Sequence, residues 1–186
     1  MDVKEAIYTR RAIREFKDAA VDHDTIRQLI DAAIQAPSAV NQQPWSFCVV
    51  RDQAVLARIS AESKAHMLKT TPAGLLSHHF ETILNDSSFH IFYHAPVLIV
   101  ICSGATIPWA AEDCALAAEN LMLAAHAAGL GTCWIGFAQG WLGTPAGKSL
   151  LQLPADIAPM APIIVGHPKS PPPSVPRRQP EIRWIG

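Results

Sequence analysis

The plainest pattern in the chain lies between residues 97 and 137. Val97-Leu-Ile-Val-Ile-Cys102 is apolar without alternation, which predicts a strand buried on both faces at the centre of a sheet. It is followed, from Trp109 to Ala128, by a stretch free of Gly and Pro. There Glu112, Glu119 and His126 recur every seven residues, with Asp113 and Asn120 beside them. Ala, Leu, Met and Cys fill the remaining positions, so this segment predicts a helix buried nearly all round. Gly129 and Gly131 are expected to stop it, as left-handed glycines do after a helix. Beyond them Thr132 to Gly136 is apolar and Gly-flanked, a place where main-chain N–H groups could face a flat ligand.

Other elements follow from capping and periodicity. Asp2 and Glu5 have the spacing of a capping box for a first helix running to about Thr9. Asp22 or Asp24 caps a second helix, whose Ile26, Leu29, Ile30, Ala33 and Ile34 share one face before Pro37 ends it. Ser46 to Val50 reads as a strand, and Asp52 opens a helix through roughly Ile59. Between Ser60 and His90 the signals weaken; Pro72-Ala-Gly74 breaks the stretch and a helix over about Leu75 to Leu84 is expected. Trp141 to Leu151 is expected to be helical in its second half, and Pro162 to Gly166 to form a strand. The Pro-rich tail should lie extended over a neighbour, with room for a short edge strand over Glu181 to Ile185.

Length and composition narrow the function classes. At 186 residues the chain is expected to form one domain, residues 1–186. A formal net charge of −1 gives no general attraction to nucleic acid or anionic membranes, so neither is an expected partner. Polar groups in the middle of the long helix argue against a membrane span. The N-terminus does not read as a signal peptide. The four cysteines are widely spaced in apolar settings, with no CxxC pair, and read as buried reduced thiols of a cytoplasmic protein. His78-His79 and His90 with His94 lack nearby carboxylates or cysteines, so no metal is expected.

Two stretches carry candidate chemistry. Arg10, Arg11 and Arg14 in RRAIREF are interleaved with Ala12, Ile13 and Phe16. On the residues alone they form either a partly buried anion site, since guanidinium offers forked donors to phosphate, or a surface cluster paired with Asp or Glu. APSAVNQQPWSF, residues 36–47, is a loop of small and amide side chains. It suits a heterocycle edge carrying N–H and C=O groups, and equally suits a tight connector.

Taken in order, RRAIREF at 10–16, APSAVNQQPWSF at 36–47, FYHAPVLIVI at 92–101, EDCALAAENLMLAAHAAGLGTCWIGF at 112–137 and IIVGHPKSPPPSVPRRQPEIRW at 163–184 resemble the FMN-dependent nitroreductase family. Val40 stands where that pattern commonly has glycine, and Pro176 where it usually has lysine. The resemblance implies an α+β fold with a central, mostly antiparallel sheet flanked by helices. It also implies an intertwined homodimer in which the long helix packs at the interface and the C-terminal strand joins the partner's sheet. It implies FMN as cofactor and NADH or NADPH as electron donor. Arg14 would sit near the flavin N1 and O2; Arg10, Arg11, Arg177 and Arg178 would hold the phosphate and ribityl chain. Pro37, Ser38, Ala39, Asn41 and Gln43 would cover the ring from the other subunit, and the main chain at Trp134, Ile135 and Gly136 would meet N5 and O4. The implied activity is reduction of small electron-poor organic acceptors, nitroaromatics or quinones, in two half-reactions, with Arg14, Ile135 and Gly136 at the reacting ring. The alternative is a flavin-binding carrier or sensor without NAD(P)H turnover.

Overall fold

The computed structural model describes residues 1–186 apart from residues 73, 75, 76 and 105. Four strands, β1 (Ser46–Val50), β2 (Val97–Gly104), β3 (Gly131–Trp134) and β4 (Ile157–Gly166), form a sheet in the order β1-β2-β4-β3. Every pairing between them is antiparallel. β2 lies inside this order, and its side chains divide with period two. Leu98, Val100 and Cys102 enter one core; Val97, Ile99 and Ile101 enter the other. A strand apolar at every position therefore needs cover on both faces. Helices α2 (His23–Ala33) and α5 (Ala110–Ala127) supply it on one side. Helices α3 (Gln53–Thr70) and α6 (Gly136–Leu142) supply it on the other.

The capping signals hold. The Asp2 carboxylate accepts from Glu5 N–H at 2.7 Å and opens α1 (Val3–Thr9). Asp22, not Asp24, caps α2, accepting from both the N–H and the hydroxyl of Thr25 at 2.7 Å. Gly129 ends α5 with φ +76°, and Leu130 N–H reaches back to Ala125 C=O at 2.8 Å. Gly131 has a different task from the expected stop, because it begins β3. A Cβ there would come within 2.7 to 2.9 Å of Ile13, so only glycine lets residues 10–16 cross this sheet edge.

Several boundaries differ from the pattern's expectation, each for a physical reason. α3 runs to Thr70 instead of about Ile59, because the face it buries is polar there. Ser60, Ser63 and Lys64 are all buried, so apolar periodicity could not show it. Lys64 Nζ donates to Asp86 C=O and Phe89 C=O, both at 2.7 Å, and Ser60 Oγ accepts from Ile91 N–H at 3.0 Å. The expected helix at Leu75–Leu84 appears as α4 (His78–Asn85), capped by Ser77; Leu75 lies outside the described residues. α6 contains two glycines, which cost about 1 kcal/mol each in a helix interior. It forms because Ala138, Trp141 and Leu142 bury themselves. α7 (Pro145–Leu150) follows it. α5 is not covered all round within one chain: Ala111, Leu116 and Ala127 are exposed. Residues 181–185 form no strand, and the tail beyond Lys169 is almost wholly exposed.

The buried lysine gives a direct test. Lys64→Met keeps the stem's packing but leaves two carbonyls without their charged donor. Urea unfolding should show a loss of about 2–3 kcal/mol, the range for hydrogen bonds to a charged group.

Candidate active site

The arginine segment is extended, with Ile13 and Phe16 turned into the core, Arg10 and Arg11 half-buried, and Arg14 exposed. Ile13 N–H donates to Thr132 C=O at 2.9 Å, laying the segment along β3. Further on, Lys17 N–H donates to His167 C=O at 2.8 Å and Lys169 N–H to Glu15 C=O at 3.1 Å. The three arginines then take different roles. Arg10 Nε lies 3.3 Å from Glu119 Oε1 on α5. Arg11 Nη1 donates to the carbonyls of Tyr8 and Arg10 at 2.9 and 2.7 Å, while its Nε is buried with no partner. Arg14 is exposed and forms no ion pair or hydrogen bond among the described residues. The cluster is thus part surface ion pair and part uncommitted donors.

His126 joins this group, and its heptad position alone did not single it out as functional. Thr9 Oγ1 donates to Glu5 C=O at 2.6 Å, so at 2.8 Å from His126 Nε2 it accepts the imidazole proton. Burial, and then the neighbouring Arg10 and Arg11 charges, hold the His126 pKa below its ordinary value, against an opposing pull from Glu5.

A cavity of about 580 Å³ opens where β3 ends, lined by Arg14, Met67, Phe80, Tyr93, Cys133 and the run Trp134 to Phe137. Phe80 and Phe137 meet edge-on at 6.0 Å, so α4 forms one wall over the strand end. The main-chain donors here differ in what they already hold. Ile135 N–H already donates to Pro162 C=O at 2.8 Å, and Ile135 C=O accepts from Ala138 N–H at 3.1 Å. Ile135 N–H is therefore committed within the fold. Gly136 is the first residue of α6 and its N–H makes no backbone hydrogen bond among the described residues. Nothing lies within 4 Å of where a Cβ would stand, so it is the bend's available donor. Met67, Phe80, Tyr93 and Phe137 were not foreseen individually, because no short-range pattern marks walls drawn from four separate elements.

A second cavity, about 390 Å³, adjoins the first through Arg14 and Tyr93 and includes His90 and His94. The two imidazoles stand 4.7 Å apart between ring centroids. Burial foremost, then the charges of His94 and Lys64, push the His90 pKa down to about 4.

The amide loop is built separately. Ser38 Oγ accepts from Gln43 N–H at 2.9 Å, Gln43 Nε2 donates to Asn41 Oδ1 at 2.9 Å, and Ala39 N–H donates to buried Asp113 on α5 at 2.9 Å. Val40, Asn41 and Gln43 all have left-handed φ, at 45°, 56° and 48°. The first explains why glycine is common at that position. Neither cavity is lined by Pro37, Ser38, Ala39, Asn41 or Gln43. Arg177 and Arg178 are exposed on the tail. One chain thus assembles Arg14 with Trp134 to Gly136, and Arg10 with Arg11, and leaves the loop and the tail apart from them.

Comparison with known proteins shows the family and the fold. Residues 7–167 match the nitroreductase family. A protein of Methanothermobacter thermautotrophicus named "Putative NADH dehydrogenase/NAD(P)H nitroreductase" is 32% identical over 173 residues, covering 90% of this chain and 78% of that one. An iodotyrosine deiodinase of Thermotoga neapolitana is 25% identical, covering 94% and 93%. The crystal structure of a nitroreductase with bound FMN from Bacteroides fragilis superposes with a TM-score of 0.87 at 22% identity, covering 100% of both chains.

The turn below the cavities makes a pH prediction. His90 titrates near 4 in the folded chain and near its ordinary 6.5 unfolded, so between those values the unfolded state binds more protons. Stability present above pH 6.5 should fall as pH drops toward 4. The urea midpoint of the wild type should decline across that window more steeply than that of His90→Gln; equal slopes would exclude His90 as the cause.

Proposed function

This chain belongs to the nitroreductase family, and we propose that it binds FMN, accepts electrons from NADH or NADPH, and passes them to a small electron-poor organic acceptor such as a nitroaromatic or quinone. The observation that carries this reading is the cavity at the end of β3. Its walls are aromatic and apolar, an unpaired guanidinium stands at its mouth, and open space lies over Gly136. Those are the requirements of a flat ring that gathers negative charge at one edge. The buried, unpartnered Arg11 Nε is a second fit, since it is a donor in want of an anion.

Bound FMN supplies reversible two-electron chemistry, which no side chain here provides. The chain's own residues bind and bias it. Arg14 places positive charge where the ring's negative charge develops. Gly136 N–H offers a donor to the ring edge. Arg10 and Arg11, with Arg178 and Arg177 of the tail, would hold the phosphate, Arg10 giving up its Glu119 partner to do so. Pro37, Ser38, Ala39, Asn41 and Gln43 belong to the same site when supplied by a second copy of the chain, since within one copy the loop lines neither cavity. A homodimer is further supported by apolar surface with no cover: Val3, Ile7, Tyr8 and Leu116 on α1 and α5, and Trp184 and Ile185 on the tail. Similarity to an iodotyrosine deiodinase supports reductive removal of halide as a second acceptor chemistry at the same site.

Purified protein should be yellow and should bind FMN far more tightly than riboflavin. Equal affinities would mean that the arginines hold no phosphate. Arg14→Ala should slow flavin reduction by NADH or NADPH about 10²-fold in stopped flow, the scale for one well-placed electrostatic group, with a smaller loss of FMN affinity. Arg10→Ala should mainly weaken binding. A protein that binds FMN yet is reduced by neither nucleotide is a carrier or sensor instead. Deleting residues after Ser170 keeps the pairing of Lys17 with His167 and of Lys169 with Glu15, yet should cost dimer and flavin together. A truncated chain that remains flavin-loaded and monomeric would remove the tail from the site.

A further inference from the structure

We infer that Tyr93 is a positioning residue for Arg14: its ring face holds the guanidinium at the cavity mouth and leaves the N–H donors free for the bound cofactor. This rests on the flavin reading above and extends it to a residue that touches the cation itself.

Three observations converge on it. Arg14 Cζ lies 5.9 Å from the Tyr93 ring centroid, within the range of a cation–π contact. Among the described residues Arg14 forms neither an ion pair nor a hydrogen bond, and Glu15, which lines the same smaller cavity, leaves it unpaired. A carboxylate partner would occupy the guanidinium's donors and cancel its charge. An aromatic face does neither, so the charge and all five donors stay available.

The backbone adds a second argument. Tyr93 and His94 have consecutive left-handed φ of 51° and 56°, a region that histidine tolerates better than most residues and that tyrosine seldom enters. Such strain persists only where surrounding contacts over-determine it, and it gathers at functional positions. Here the contacts are specific. Tyr93 N–H donates to His90 C=O at 2.8 Å and Ala95 N–H to Phe92 C=O at 2.9 Å. His90 Nδ1 accepts from Phe92 N–H at 3.2 Å, and the Phe89 ring meets Tyr93 nearly edge-on at 5.8 Å. Lys64 and Ser60 tie the whole turn to α3.

Core packing does not account for the residue. Phe92 beside it is fully buried and fills the core, whereas Tyr93 is half-buried and lines both cavities. The strained turn presents a ring to the site.

The test compares Tyr93→Leu and Tyr93→Phe, with Tyr93→Met in reserve should the leucine variant not fold. In the FMN-loaded protein, a redox titration should show that Tyr93→Leu lowers the preference for reduced flavin about five-fold, the scale of one cation–π contact. For a two-electron couple that is a shift of about 20 mV downward. Tyr93→Phe should match the wild type, and Tyr93→Leu should add nothing in an Arg14→Ala background. In the apoprotein, NMR relaxation of the Arg14 Nε–H should show order in the wild type and Tyr93→Phe that is lost in Tyr93→Leu. An unchanged potential, a shift that persists without Arg14, or an Arg14 equally mobile in all three proteins would overturn the inference. Failure to take up FMN would instead remove the flavin reading, and the apoprotein measurement would still decide the role of Tyr93.

Discussion

One backbone hydrogen bond, from Ile13 N–H to Thr132 C=O, ties the two halves of the site together. It fixes the arginine segment against β3, the strand whose far end bends at Gly136. Ile13 and Phe16 are committed to the same core, and the intervening Arg14 and Glu15 are exposed. Gly131 is the condition for this approach, because a side chain there would collide with Ile13. A single slip at that edge would move Arg14 away from the bend it faces, while the sheet behind it would remain intact.

The sheet itself is insulated from such changes by burial on both faces. β2 contributes to two cores at once, and α2 with α5 on one side and α3 with α6 on the other close them. Around this rigid part stand segments held by polar staples: Lys64 and Ser60 on the turn before β2, and Asp113 on the amide loop. These staples reach across long stretches of sequence and hold left-handed residues that local preference would release. Apolar packing makes the platform, and buried polar groups aim what stands on it.

That division also explains what could be read along the chain. β2, β1 and the caps at Asp2 and Asp22 announce themselves through apolar runs and spacing. The second half of α3 does not, because its buried face carries Ser60, Ser63 and Lys64 in place of leucines. α6 is hidden by Gly136 and Gly140, whose helical state is imposed by the burial of Trp141 and Leu142. At the site, the arginines and the strand-end glycine were legible as residue types. The commitment of Ile135 N–H to Pro162 was not, since it depends on which residue β4 places opposite. Tyr93 was invisible for the same reason: its meaning comes from Arg14, almost eighty residues earlier.

The thiols expected from sequence to be buried and reduced bear on how long such a protein can work. All four cysteines are free, and burial raises each pKa, to about 12 at Cys102 and about 11 at Cys114. Oxidants attack thiolate far more readily than thiol. Cys133 lines the cavity proposed to hold the flavin, where a reduced flavin in air would make peroxide. Burial that disfavours the thiolate of Cys133 would give the chain oxidative durability at the place where that proposed chemistry is most corrosive.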